Sequence, residues 1–187
     1  MRHCISFGIA GFLMAAPLLA SPSPSGELMR ALAGKDIDKV SQSLQADPSM
    51  LEKKLDNQGT TPLGLACVLG KMDAVKLLLA RGANPNNLSG KSTPLVLAIY
   101  RNRPDIVQVL LAAKADPNVL DAKGTPALMS AVALSKLYGD ETAAKMCDLL
   151  LSAGAKRDAQ VSPKNTALAM ARALNAPKTL EVLQRSR

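Results

Sequence analysis

Aromatic side chains are almost missing from this chain. Two Phe, two Tyr and no Trp make up 2% of 187 residues, and both Phe (Phe7 and Phe12) fall within the first twenty. Hydrophobic content is nonetheless 48%, so the interior must be built from Leu, Ala, Val, Ile and Met. That palette suits small helices packed in close layers. Histidine is scarcer still, with His3 the single one. A chain with no later histidine has no Ser-His-Asp or Cys-His nucleophile and lacks the commonest zinc ligand. It has no C-x-x-C for redox exchange and no G-x-x-x-x-G-K-[ST] loop for phosphate. The 15 acids are scattered, with no pair marked out for acid–base work. These absences argue against an enzyme, a cofactor and a metal site. With no stacking aromatics beside the positive charge, they argue against nucleic acid as well.

Cysteine is also sparse: Cys4, Cys67 and Cys147. Residues 1–20, MRHCISFGIAGFLMAAPLLA, read as a secretory signal peptide. Arg2 supplies the charged start, Ile5 to Ala16 the apolar run, and Ala20-Ser21 a small-residue exit. The run is short for a membrane span and is followed by Pro17. A cut after Ala20 leaves Leu18 at an unfavourable position, and a cut after Ser25 is the alternative. Export makes the mature protein periplasmic or secreted and removes His3 and Cys4. It leaves a formal charge of +7, because Arg2 is lost from the +8 of the full chain. The excess is densest near the end, at Lys156, Arg157, Lys164, Arg172, Lys178, Arg185 and Arg187, where a solvated cap or an anionic partner would account for it.

What the chain has in abundance is one repeated phrase. Residues 61–86, TPLGLACVLGKMDAVKLLLARGANPN, read as two short helices. Thr61 caps the first, Pro62 fits its first turn, and Gly70 ends it. Asp73 suits the start of the second, and Gly82 ends that one in a position requiring positive φ. The phrase restarts at Thr93 (TPLVLAI), 32 residues later, then at Thr125 (TPALMSA) after another 32 and at Thr166 (TALAMAR) after 41, with extra residues around Ser135 to Thr142. Two short helices cannot bury their apolar faces alone, so the units must stack.

The repeat resembles the ankyrin family, whose period is 33 and whose signature is T-P-L-H-x-A. The resemblance implies an all-α ankyrin-repeat solenoid of about five helix-turn-helix units with short β-hairpin loops. Its parts are a Ser/Pro linker at 21–26, an N-terminal cap repeat at 27–56, and repeats at 57–88, 89–120 and 121–160 (with the insert). A C-terminal cap repeat follows at 161–187. In such a stack Cys67 and Cys147 lie two units apart, roughly 20 Å, too far for a disulfide. This chain also departs from the family pattern. The signature histidine is replaced by Gly64, Val96 and Leu128, so its bonds between loops are missing. Asn102 replaces a mid-repeat glycine, and Lys114 stands where Gly82 and Gly154 stand in other units. Two units read as one residue short at their hairpin tips.

The resemblance further implies a protein partner, bound by a monomer along the concave side through hairpin tips and the outer positions of the first helices. Carried onto this chain, the helix positions are Val68, Leu69, Tyr100, Arg101, Val132 and Ala133. The tips are Asn57, Gln58, Thr60, Ser89, Ser92, Asp121 and Ala122. A scaffold is the first reading. An inhibitor or immunity-type protein that occludes an enzyme or toxin, with the insert as its plug, is the second. A secreted effector acting on a host protein is the third.

Overall fold

The computed structural model describes residues 23–34, 36–162 and 165–185. The segment read as a signal peptide lies outside them. Helices come in pairs: α1 (Pro24–Ala33) with α2 (Ile37–Ala46), α3 (Pro62–Leu69) with α4 (Met72–Ala80), and α5 (Pro94–Tyr100) with α6 (Pro104–Ala112). Next come α7 (Ala127–Ala133), a one-turn α8 (Ser135–Tyr138) and α9 (Asp140–Ser152), then α10 (Ala167–Ala173) with α11 (Pro177–Gln184). The first helices α1, α3, α5, α7 and α10 pack in one row, each on the next, and the second helices form a parallel row behind them. A two-stranded hairpin, β1 (Gln160–Ser162) and β2 (Asn165–Thr166), precedes α10, and isolated bridges Ser89–Ser92 and Leu120–Pro126 close the two hairpins before it. Among the described residues no helix is long and apolar enough to cross a membrane.

Four of the five first helices start by the same device. Thr61, Thr93 and Thr166 accept hydrogen bonds on their hydroxyls from the N–H groups of Gly64, Val96 and Ala169, three residues on. Ser23 does the same for Gly26. Residues 24–26 are therefore the first turn of α1, not part of a linker, and Ser23-Pro24 is the same cap-and-proline pair as Thr61-Pro62.

The third unit corrects the register read from the sequence. Its cap position is Pro126, with ψ 142°, and α7 begins at Ala127. Thr60, Ser92 and Thr125 are equivalents: each accepts a 2.8 Å backbone bond, from Leu55, Ser89 and Asp121 respectively, one residue before the cap. From Thr93 to Pro126 is thus 33 residues, and only the hairpin at Ser89–Ser92 is a residue short. The T-P dipeptide at Thr125 misled the alignment because its proline fills the threonine slot of the other units.

Between the helix rows lies a continuous apolar layer that includes Leu28, Leu78, Leu95, Ile106, Met129 and Leu150, all fully buried. Each such side chain contributes about 1.5–3 kcal/mol by leaving water, but none of the layers closes without its neighbours. Polar bonds fix the spacing along two edges. At the helix–helix turns, Lys71 donates to the Gly34 carbonyl at 2.8 Å and Arg103 to the Gly70 carbonyl at 3.1 Å. Further along that edge Asp140 accepts from the N–H groups of Lys178 and Thr179. At the hairpin bases, Asn86 accepts from the Asp116 N–H and donates to the Lys114 carbonyl, and Asn118 repeats this with Lys156 and Gly154.

The turns adopt the left-handed geometry expected of them. Asn102 (φ 52°) and Asn175 (φ 51°) stand in for Gly70 (φ 68°), and Lys114 (φ 68°) stands between Gly82 (φ 90°) and Gly154 (φ 94°). Cys67 and Cys147 are buried, unpaired thiols on α3 and α9. Burial pushes each up to about 12, so neither is a ready nucleophile.

Candidate protein-binding surface

The first helices and the hairpins share one side of the stack, and the residues carried over from the family divide sharply there. Asn57, Gln58 and Ala122 are exposed at the tips. Leu69, at the end of α3, is 40% exposed, and Val68, Tyr100, Arg101 and Ala133 are half-buried along the same line. Val132 is fully buried, which corrects its assignment to the surface: with the register shifted by one, it takes the core slot of Ile99. Thr60, Ser89, Ser92 and Asp121 are buried too, and each is occupied within the fold.

Those occupations explain how the stack manages without its signature histidine. Gly64 sits in that slot, and a Cβ there would lie 2.0 Å from Ser89 Oγ. The space belongs to Ser89, whose hydroxyl accepts a 3.0 Å bond from the Thr61 N–H one unit away. A loop-to-loop bond exists after all, made by serine. In the neighbouring hairpin Asp121 takes the larger share. Its carboxylate accepts from the N–H groups of Lys123 and Thr125, both at 2.8 Å, and from the Tyr100 hydroxyl. Burial works against the Asp121 charge, but these donors outweigh it and hold the carboxyl below its usual range. Burial, reinforced by that carboxylate, pushes the Tyr100 phenol up to about 12. The Tyr100 hydroxyl is therefore committed to the next unit, while its ring is half-buried against the core.

Two exposed apolar residues lie in the insert but were not singled out in the sequence. Leu137 (65% exposed) and Tyr138 (47%) sit on α8, where the period breaks between α7 and Gly139 (φ 88°). The signal was the break itself: an apolar pair ahead of a glycine, outside the repeat that supplies neighbours. Leu88 and Leu120, each one residue before a hairpin turn, are also exposed. A shallow groove of about 280 Å³, lined by Leu120, Pro126, Leu128, Ala155 and Ala159 with Lys156 at its edge, separates the last two hairpins. Among the described residues no group of three or more His, Cys, Asp or Glu is placed to hold a metal.

Paired helices in two rows with hairpins projecting from one side define a repeat solenoid. The family model for ankyrin repeats (3 copies) matches residues 28–121, and the chain belongs to the ankyrin-repeat family. Ankyrin repeats are generally protein–protein interaction modules and typically non-catalytic. The structure continues the same pattern beyond the matched residues, through α7–α9 and α10–α11. No curated protein matches the chain.

Proposed function

We propose that this protein is an exported, non-catalytic binding module, periplasmic or secreted, that docks one protein partner on its first-helix side. The observation that carries the reading is the set Leu69, Tyr100, Arg101, Leu137 and Tyr138: apolar and basic side chains, exposed or half-buried, at the ends of α3 and α5 and on α8, which follows α7. Aromatic residues and arginine are the types enriched where interfaces hold most of their energy. Leu137 and Tyr138, projecting from the insert, also favour a second reading, in which α8 enters and occludes a cleft on an enzyme or toxin.

The test replaces Leu69 and Arg101 with Ala, sparing Tyr100 because its loss would also unseat Asp121. Binding of the partner should weaken by about 2 kcal/mol or more with helix content unchanged. A Leu137→Ala, Tyr138→Ala protein should lose inhibition selectively if the second reading holds. Unchanged affinity in both would sink the assignment of this side. Export is tested by the intact mass of protein recovered from the cell envelope. Ser23 caps α1, so a cut after Ala20 preserves the fold's first turn and a cut after Ser25 removes it. The mass expected is that of a chain starting at Ser21.

A further inference from the structure

Acids are sparse on the proposed docking side: of the first helices only α1 carries one, Glu27, and Asp158 stands exposed in the last hairpin loop. No Asp or Glu lies between Asp73 and Asp105 or between Asp121 and Asp140, and α3, α5, α7, α8 and α10 contain none. The second helices hold Asp38, Asp73, Asp105, Asp148 and Glu181, among others. At the tips, Asp56 and Asp121 turn inward: Asp56 accepts from Gln58 and Thr60, and Asp121 from Lys123, Thr125 and Tyr100. Four ion pairs lie on the second helices or beside their ends: Lys39–Asp36, Arg103–Asp105, Lys178–Glu141 and Arg185–Glu181. Lys91 at a hairpin tip, Arg101 at the end of α5 and Lys136 on α8 take part in none of them.

We infer that the docking side takes an acidic, extended segment of a protein partner. Its carboxylates fall on Arg101, Lys136 and Lys91, and an apolar side chain rests against Leu69 and the Tyr100 ring. This rests on the reading of that side given above and adds the chemistry of the occupant. Arg101 and Lys136 belong to adjacent units, and packed helices of adjacent units lie about 8–10 Å apart. An extended chain advances about 3.3 Å per residue, so about three residues carry it from one unit to the next. The spacing is wrong for nucleic acid. A duplex carries one charge per about 1.7 Å of axis, which three dispersed cations do not match, and no exposed run of aromatics is present for bases to stack on. The guanidinium of Arg101 offers a planar pair of donors to a carboxylate, with apolar neighbours to exclude water.

The probe is a short fluorescein-labelled poly-L-glutamate, followed by anisotropy at physiological salt. Two triple charge reversals change net charge equally. One is Lys91→Glu, Arg101→Glu, Lys136→Glu on the docking side, and the other is Lys76→Glu, Lys114→Glu, Lys145→Glu on the second-helix side. Far-UV circular dichroism confirms that each folds. The first should weaken binding at least tenfold and the second no more than about twofold. Equal losses would mean that only net charge is read, and the proposal falls. It falls as well if the wild-type chain ignores polyglutamate, or prefers a single-stranded oligonucleotide or phosphatidylglycerol vesicles. A photo-crosslinker at Leu69 separates this proposal from the reading beneath it. A crosslink to a partner segment without acids keeps the docking side and overturns the acidic occupant. Crosslinks from the second-helix side alone overturn both.

Discussion

The Tyr100 hydroxyl rests against a carboxylate that stays charged at neutral pH, and the two titrations run in opposite directions. The phenol is raised from 10.0 to about 12, so its contribution to stability is full below pH 10 and is lost as pH rises through the folded value. Asp121 is lowered from 3.8, so its contribution is full above that value and is lost as pH falls through the depressed one. Tyr138→Phe leaves Tyr100 as the only tyrosine, and tyrosinate absorbance should then rise at about 12. A midpoint at 10 with helices intact would show that the bond to Asp121 is not made. At Lys114 the strain is in the backbone. A lysine at φ 68° gives up roughly 1 kcal/mol relative to glycine, so Lys114→Gly should raise the denaturation midpoint, less what glycine adds in unfolded freedom. An unchanged or lower midpoint would show that the freedom glycine adds to the unfolded chain cancels the strain relieved.

At the scale of the element, the hairpins differ from one another more than the helices do. Ser89→Ala leaves the Thr61 N–H buried without a partner, a loss of about 1–3 kcal/mol. Thermal denaturation should show that drop, while the same change at exposed Ser162 on β1 should show almost none. An equal effect at both would mean that the loop bond carries no weight. Helix starts were legible in the sequence because a threonine ahead of a short apolar run recurs along the chain, and Thr61, Thr93 and Thr166 each cap a helix there. Where the same chemistry wore other residues, the reading slipped. Ser23-Pro24 looks like linker by composition but caps a helix, and Pro126 fills a threonine slot without a hydroxyl. The candidate surface was legible only in part. Leu69 and Arg101 were carried over from the family pattern, and they lie exposed and half-buried respectively. The burial of Ser89, Ser92 and Asp121 depends on neighbours in other units, and the seat of Val132 depends on a one-residue register.

Over the whole molecule, the polar fastenings are distributed unevenly. The hairpin bases are tied at every junction from the first full unit onward: Glu52 to Asn84 and Asn87, Asn86 to Asp116, and Asn118 to Lys156. The turn edge is tied by Lys71 to Gly34, by Arg103 to Gly70 and by Asp140 to Thr179. Between α5–α6 and α7–α9 that edge has no such bond among the described residues. Instead, Asn102 Oδ1 and Ser135 Oγ lie there buried and without partners. Mechanically, this junction is a binding sewn along one margin only. A load that spreads the stack opens the turn edge at this place first, and the two halves swing about the Asn118–Lys156 stitch. Hydrogen exchange under mild denaturant should find the amides around Asn102 and Ser135 opening ahead of those around Gly70. Since Arg101 lies on one half and Lys136 on the other, the swing changes their separation. A bound segment that spans both cations therefore acts as a clasp, stiffening the molecule where its own bonds leave it loose.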